Sequence, residues 1–179
     1  MLQFIIPAIE QYDEEHNEFV YSKETVLQLE HSLVSISKWE SKFTKPFLTK
    51  SEKTTEETRY YVRCMTINKN IDSNIYNLLT EEHMDIISAY IGSSQTATTI
   101  SNEKKTTNRE IVTSELIYYW MINFNIPFEC QKWHLDRLLT LINVCNIKTN
   151  PPKKMSQREL MARNRDLNAA RRAKINSKG

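Results

Sequence analysis

Glycine is almost missing from this chain: of 179 residues, only Gly92 and Gly179 are glycine. Loops that bring backbone close to a phosphate need glycines at fixed spacing. No Walker-type loop, no Gly-x-Gly-x-x-Gly dinucleotide fingerprint and no Gly-x-Ser-x-Gly elbow can therefore be drawn. Cysteine is scarce too. Cys64, Cys130 and Cys145 are odd in number, widely spaced and without a Cys-x-x-Cys pair, which points to reduced thiols in an intracellular compartment. No apolar run approaches the roughly 20 residues a membrane span needs. The opening MLQFIIPAIEQYDEE lacks a basic region and turns acidic at once, unlike a secretory signal.

What the chain does have is a moderate apolar share, 40%, and charge that is unevenly placed. The formal net charge is only +2. From Pro151 onward, however, nine Lys and Arg face only Glu159 and Asp166, so this segment carries +7 and the rest −5. Length and charge together predict one domain, residues 1–149, followed by a proline linker and a basic helical arm, residues 150–179.

The densest apolar stretch runs from Arg109 to Thr149 and holds two of the three tryptophans. It predicts two helices joined near Asn125–Pro127, with Thr107 and Glu110 as a capping box at the start. Pro127 has no amide hydrogen and pushes Ile126 out of helical geometry, which places it in the first turn of the second helix. Leu135, Leu138, Leu139 and Ile142 recur at helical spacing, with Glu129, Lys132, Asp136 and Asn143 on the other face. In the first helix, Leu116–Ile122 is apolar or aromatic all round, as expected of a helix buried on several sides or meeting a partner. This hairpin is the expected core.

Elsewhere the pattern predicts short β segments at Leu2–Ile6 and Phe19–Ser22, with a further strand or a helix start at Thr25–His31. A helix is expected over Ser32–Phe43, with Leu33, Ile36, Trp39 or Glu40, and Phe43 one turn apart, ended by Pro46. Thr54 with Glu57 opens a helix to about Thr66 whose apolar side holds Tyr61, Cys64 and Met65. Ser73 is the expected cap of a short helix through Leu79. Thr80 is the expected cap of Glu81–Ile91, with Met84, Ile87 and Ile91 inward, Glu81 and Glu82 favouring the helix dipole, and Gly92 as C-cap. Ser93–Asn108 reads as a loop with room for a short strand at Thr96–Ile100. Ser156 with Glu159 opens the final helix, to about Lys174, whose apolar content is thin. The fold class is α+β and predominantly helical: a small N-terminal β-hairpin or sheet, a central helical bundle and a C-terminal basic helix.

Few residues carry candidate chemistry. Cys130 and His134 stand one turn apart on the expected second helix, but a zinc site needs three or four ligands and Cys145 is too far along to join. The same pair as nucleophile and base lacks an oxyanion hole, so packing is the better reading. The acidic groups Asp13-Glu14-Glu15 and Glu56-Glu57 read as solvated charge. In the arm, Arg163, Arg165, Arg171 and Arg172 can neutralise phosphates of RNA or DNA, serve as a solvated helix, or meet an acidic or apolar protein partner. Tyr118, Tyr119 and Trp120, with Trp133, read as core or as the lining of a groove for a partner helix. No catalytic residue, metal or cofactor is expected, and self-association is left open.

Four phrases carry a resemblance: HSLVSISKWESKFTKPFL (His31–Leu48), TSELIYYWM (Thr113–Met121), NIPFECQKWHLDRLLTLI (Asn125–Ile142) and MARNRDLNAARRAKINSKG (Met161–Gly179). Together they resemble small tail assembly chaperones or tail-region structural proteins of tailed bacteriophages. The resemblance implies a non-enzymatic protein that binds the tape-measure protein during virion assembly in the host cytoplasm. Tyr119, Trp120 and Trp133 would then lie near a binding groove, and Arg163, Arg165, Arg171 and Arg172 would be arm contacts. The alternatives are a nucleic-acid-binding regulator or packaging factor using the arm, and a virion component at the head–tail or baseplate joint.

Overall fold

A computed structural model of the chain describes residues 1–13, 18–100, 110–150 and 157–175. The Thr107 cap, most of the Asp13–Glu15 cluster, the proline linker and the Ser156 cap lie outside these residues. The chain divides into two compact units, Met1–Cys145 and Asn146–Gly179.

The first unit begins with four strands: β1 (Leu2–Ile6), β2 (Ile9–Asp13), β3 (Glu18–Ser22) and β4 (Thr25–Leu29). β1 pairs antiparallel with β4, and β2 with β3. The partner numbers fall in step across both ladders, from Leu2 opposite Leu29 to Asp13 opposite Glu18, so both keep one register. The ladder is interrupted at Pro7 and Ala8, where proline has no amide hydrogen to donate. Along β1 and β4, alternate residues turn inward: Ile6, Leu27 and Leu29 are fully buried, whereas Ile5 is exposed. The outer edge of β4 meets the chain that leaves the second helix. There Glu30 N–H donates to Met65 O at 2.9 Å and Ile67 N–H to Gln28 O at 2.9 Å.

Helix α1 (Leu33–Phe43) starts at Ser32, whose hydroxyl accepts from Ser35 N–H while Ser35 Oγ reaches back to Ser32 N–H. Its buried stripe is Leu33, Ile36, Trp39 and Glu40, and Pro46 follows its end. Helix α2 (Thr55–Met65) carries the expected capping box of Thr54 and Glu57. Tyr61, Val62 and Met65 are buried and Cys64 is half-buried. Helix α3 (Glu81–Ile91) is capped by Thr80 and ends at Gly92, with Ile87 buried. Gly92 sits in right-handed geometry (φ −82°), so it is not the left-handed cap that glycine usually supplies.

Several boundaries differ from the sequence reading. The segment Ser73–Asn77 is a 3-10 turn capped by Asp72, because its carboxylate, one residue earlier than Ser73, accepts from Asn74 N–H. Residues Thr96–Ile100 form no strand. Helix α4 (Ser114–Asn123) begins five residues later than Arg109, at the Thr113 hydroxyl, which accepts from Leu116 N–H. Pro127 does not open the second long helix. It precedes a 3-10 turn, Phe128–Lys132, and helix α5 (Leu135–Thr149) starts beyond it. Asn125 makes the intervening reversal in left-handed geometry (φ 52°), a conformation asparagine tolerates.

The core is also differently centred. The largest helix packing is α1 on α2, followed by α1 on α4. Trp39 lies at its middle. Its ring meets Phe43 and Phe47 with centroids 5.0 and 5.1 Å away, and its indole N–H donates to Glu57 O at 2.9 Å. Ile117 and Met121 of α4 and Leu135, Leu138 and Ile142 of α5 join this cluster. The predicted hairpin is one wall of the core, and α1 is the centre, because α1 packs on α2, on α4 and on the 3-10 turn Phe128–Lys132. The second unit holds helix α6 (Gln157–Ile175).

Candidate functional site

Helix α4 is apolar all round in sequence, but the fold covers only part of it. Ser114, Ile117 and Met121 face inward, while Tyr119 and Ile122 remain 60% and 61% exposed. Tyr118 is half-buried, donates its hydroxyl proton to Gln131 Oε1 at 2.8 Å, and lies 6.3 Å from the ring of Phe128. Phe128 is itself 53% exposed. An uncovered aromatic and aliphatic face thus runs along α4 toward the following turn. Such faces are uncommon on monomers and mark places where another molecule binds.

Trp120 turns to a different side. It lines an open apolar cavity of about 490 Å³ with Leu48, Thr49, Lys50, Glu110, Ile111, Val112 and Leu139. Trp133 is not among the residues lining this cavity. Its ring carries the Arg137 guanidinium 4.2 Å above it, a cation–π pair. Tyr119, Trp120 and Trp133 therefore have three different surroundings: open surface, cavity wall and a stacked cation.

The position of α4 is fixed by a carboxylate. Glu40 is buried, and its two oxygens accept from Phe47 N–H at 2.7 Å and from Ser114 N–H at 2.8 Å. Ser114 is the first residue of α4, where free amide hydrogens and the helix dipole both favour an anion. Glu57 is buried as well. Lys45 Nζ meets it at 2.6 Å and, with the Thr54 amide, holds its carboxyl below the usual carboxylate range. Of the pair Glu56 and Glu57, Glu56 fits the reading of solvated charge, since it is exposed. Glu57 departs from that reading because the capping box turns its side chain inward.

The candidate nucleophiles are occupied otherwise. Cys130 is buried in the 3-10 turn, not on α5 with His134. Burial pushes the Cys64 thiol up to about 11, which keeps it protonated and poorly nucleophilic at neutral pH. His134 caps α5: its Nδ1 accepts from Asp136 N–H at 3.3 Å, and its carbonyl accepts from Leu138 N–H at 3.1 Å. Among the described residues, no three His, Cys, Asp or Glu side chains stand together as a metal site.

The arm residues Arg165, Arg171 and Arg172 are exposed on α6, and Arg163 is half-buried. Met161 and Leu167 on the same helix are exposed too. No helix among the described residues is long and apolar enough to cross a membrane. Sequence reasoning missed the buried cluster of His31, Ser35 and Tyr61. The one available signal was the placement of His31 immediately before a strong cap-and-helix pattern. No family model, curated protein or solved structure matches this chain.

Proposed function

We propose that this protein is a non-enzymatic assembly factor of a tailed bacteriophage, a tail chaperone that binds the tape-measure protein before the tail tube closes around it. The observation that carries the reading is the uncovered face of α4, with Tyr119 and Ile122 more than half exposed beside Phe128. A chaperone for a long helical client needs an apolar surface that stays open in the free protein, since the client supplies the cover. The phrases Thr113–Met121 and Asn125–Ile142, which carry much of the resemblance to tail assembly proteins, are the ones that build this face.

Co-purification with the tail proteins tests the role. The full chain should capture the tape-measure protein, and Tyr119→Glu with Ile122→Glu should reduce capture at least tenfold while the fold stays intact. A correctly folded full chain that captures no tail protein would overturn it. A second reading, nucleic-acid binding by the arm, is favoured by the exposed Arg165, Arg171 and Arg172. It requires an affinity that falls steeply with salt, because each neutralised phosphate releases counterions.

A further inference from the structure

Two histidines meet in the interior, where chain segments far apart in sequence join. The rings of His31 and His134 lie 5.2 Å apart, edge to face. The backbone joins there too: Ser32 and His134 form an isolated β-bridge, and Leu135 N–H donates to His31 O at 2.7 Å. His31 Nδ1 is 2.6 Å from Tyr61 Oη on α2, and Tyr61 Oη is 3.3 Å from Ser35 Oγ on α1. The His134 ring packs on Tyr90 of α3 with centroids 5.0 Å apart, and its Nε2 lies 3.3 Å from Tyr90 O. Both histidines are more than nine-tenths buried.

These contacts assign the tautomer of the His134 ring. Nδ1 accepts the Asp136 amide hydrogen, so it carries no proton, and Nε2–H donates to Tyr90 O. A second proton on this ring would have three consequences. The Asp136 amide would lose its acceptor. A positive charge would sit at the N-terminus of α5, the wrong end of the helix dipole. That charge would also face His31 across 5.2 Å. Countercharge is limited. Glu30, next to His31 in the chain, raises its proton affinity, but Tyr90 Oη holds that carboxylate at 2.6 Å and the Met1 amino group meets it at 3.1 Å. The Asp136 carboxylate is turned to Ser94 Oγ and Gln95 N–H. Tyr61 and Tyr90 are pushed up by burial and stay neutral.

We propose that the His31–His134 contact is an acid-operated joint: protonating the pair parts the β4–α1 junction from the start of α5, while the α1–α2 core stays folded. The break falls on the α5 side because a protonated His31 can still donate through Nδ1 to Tyr61 Oη, whereas a protonated His134 can no longer accept the Asp136 amide hydrogen at the start of α5. Burial and the neighbouring His134 already hold His31 down at about 4, so His31 stays neutral through the physiological range and takes its proton only in acid. The joint is independent of the proposed assembly role.

The test uses the full chain labelled with 5-fluorotryptophan, whose three resonances report on Trp39 in the core, Trp120 at the cavity and Trp133 beside the joint. As pH falls from 7 toward 4, the Trp133 signal should shift while Trp39 keeps its native position. His31→Gln and His134→Gln should each abolish that separate step. His134→Asn, which offers α5 an uncharged capping oxygen, serves if the glutamine variant does not fold. Trp133 and Trp39 moving together in a single transition would overturn the proposal. So would a Trp133 step that persists in both single variants.

Discussion

Trp39 and Trp120 are neighbours in composition but not in energy. Trp39 is fully buried and its indole N–H is bonded, so Trp39→Ala leaves a large cavity and removes the bond to the Glu57 carbonyl. The expected cost is roughly 3–5 kcal/mol. Trp120 is only half-buried at an open cavity, and Trp120→Ala should cost well under that, about 1–2 kcal/mol by the area it covers. Urea unfolding of the two variants measures the difference directly. His31 makes a pH prediction of known sign. Its pKa is about 4 when folded against 6.5 ordinarily, so the unfolded chain binds the proton first as pH falls. Stability is complete above the ordinary value, declines between the two, and by pH 4 has lost about 3 kcal/mol from this group. His31→Gln should flatten that part of the stability–pH profile by the same amount.

At the level of elements, caps and one buried carboxylate decide where helices begin. Thr80→Ala removes the hydroxyl that accepts from His83 N–H and should cost about 1 kcal/mol. Glu40→Ala is more severe, because it strands the amides of Phe47 and Ser114 in the interior. A loss of roughly 2–4 kcal/mol is expected, with Glu40→Gln losing about half, since the amide oxygen can still accept one bond. Chemical denaturation of the two variants checks the order. On α4 the opposite outcome is expected: Tyr119→Ser and Ile122→Ser should move stability by about 0.5 kcal/mol or less, since both side chains are largely exposed. These elements also show what could be read beforehand. The caps at Thr54 and Thr80 and the stop at Gly92 are local patterns, and all three stand. The start of α4 at Ser114 has a local part, the Thr113 cap, and a part that could not be read, the buried carboxylate of Glu40, 74 positions earlier in sequence.

On the scale of the whole molecule, charge is the readable property. Removing residues 151–179 changes the formal net charge from +2 to −5. If the arm binds nucleic acid, that truncation should abolish binding at low salt, and full-length affinity should fall roughly as a power of salt concentration with exponent near the number of phosphates neutralised. Filter binding at several salt concentrations measures both. If the assembly reading holds, the α4 double variant loses its tail partner while binding of nucleic acid is unchanged.

The sequence alone determined the class of this protein: predominantly helical with a small N-terminal β element, short of glycine-built phosphate loops, and basic at its end. Those properties follow from spacing, caps and composition, which act over a few residues. Only the tertiary structure decided which apolar surface is used up and which is left. Tyr119 and Ile117 look alike on a helix that is apolar all round, and they part company because α1 packs against one side of α4 and nothing among the described residues covers the other. The meeting of His31 with His134 belongs to the same category, since contact across so long a stretch of chain is a consequence of folding and leaves no periodic trace in the residues themselves.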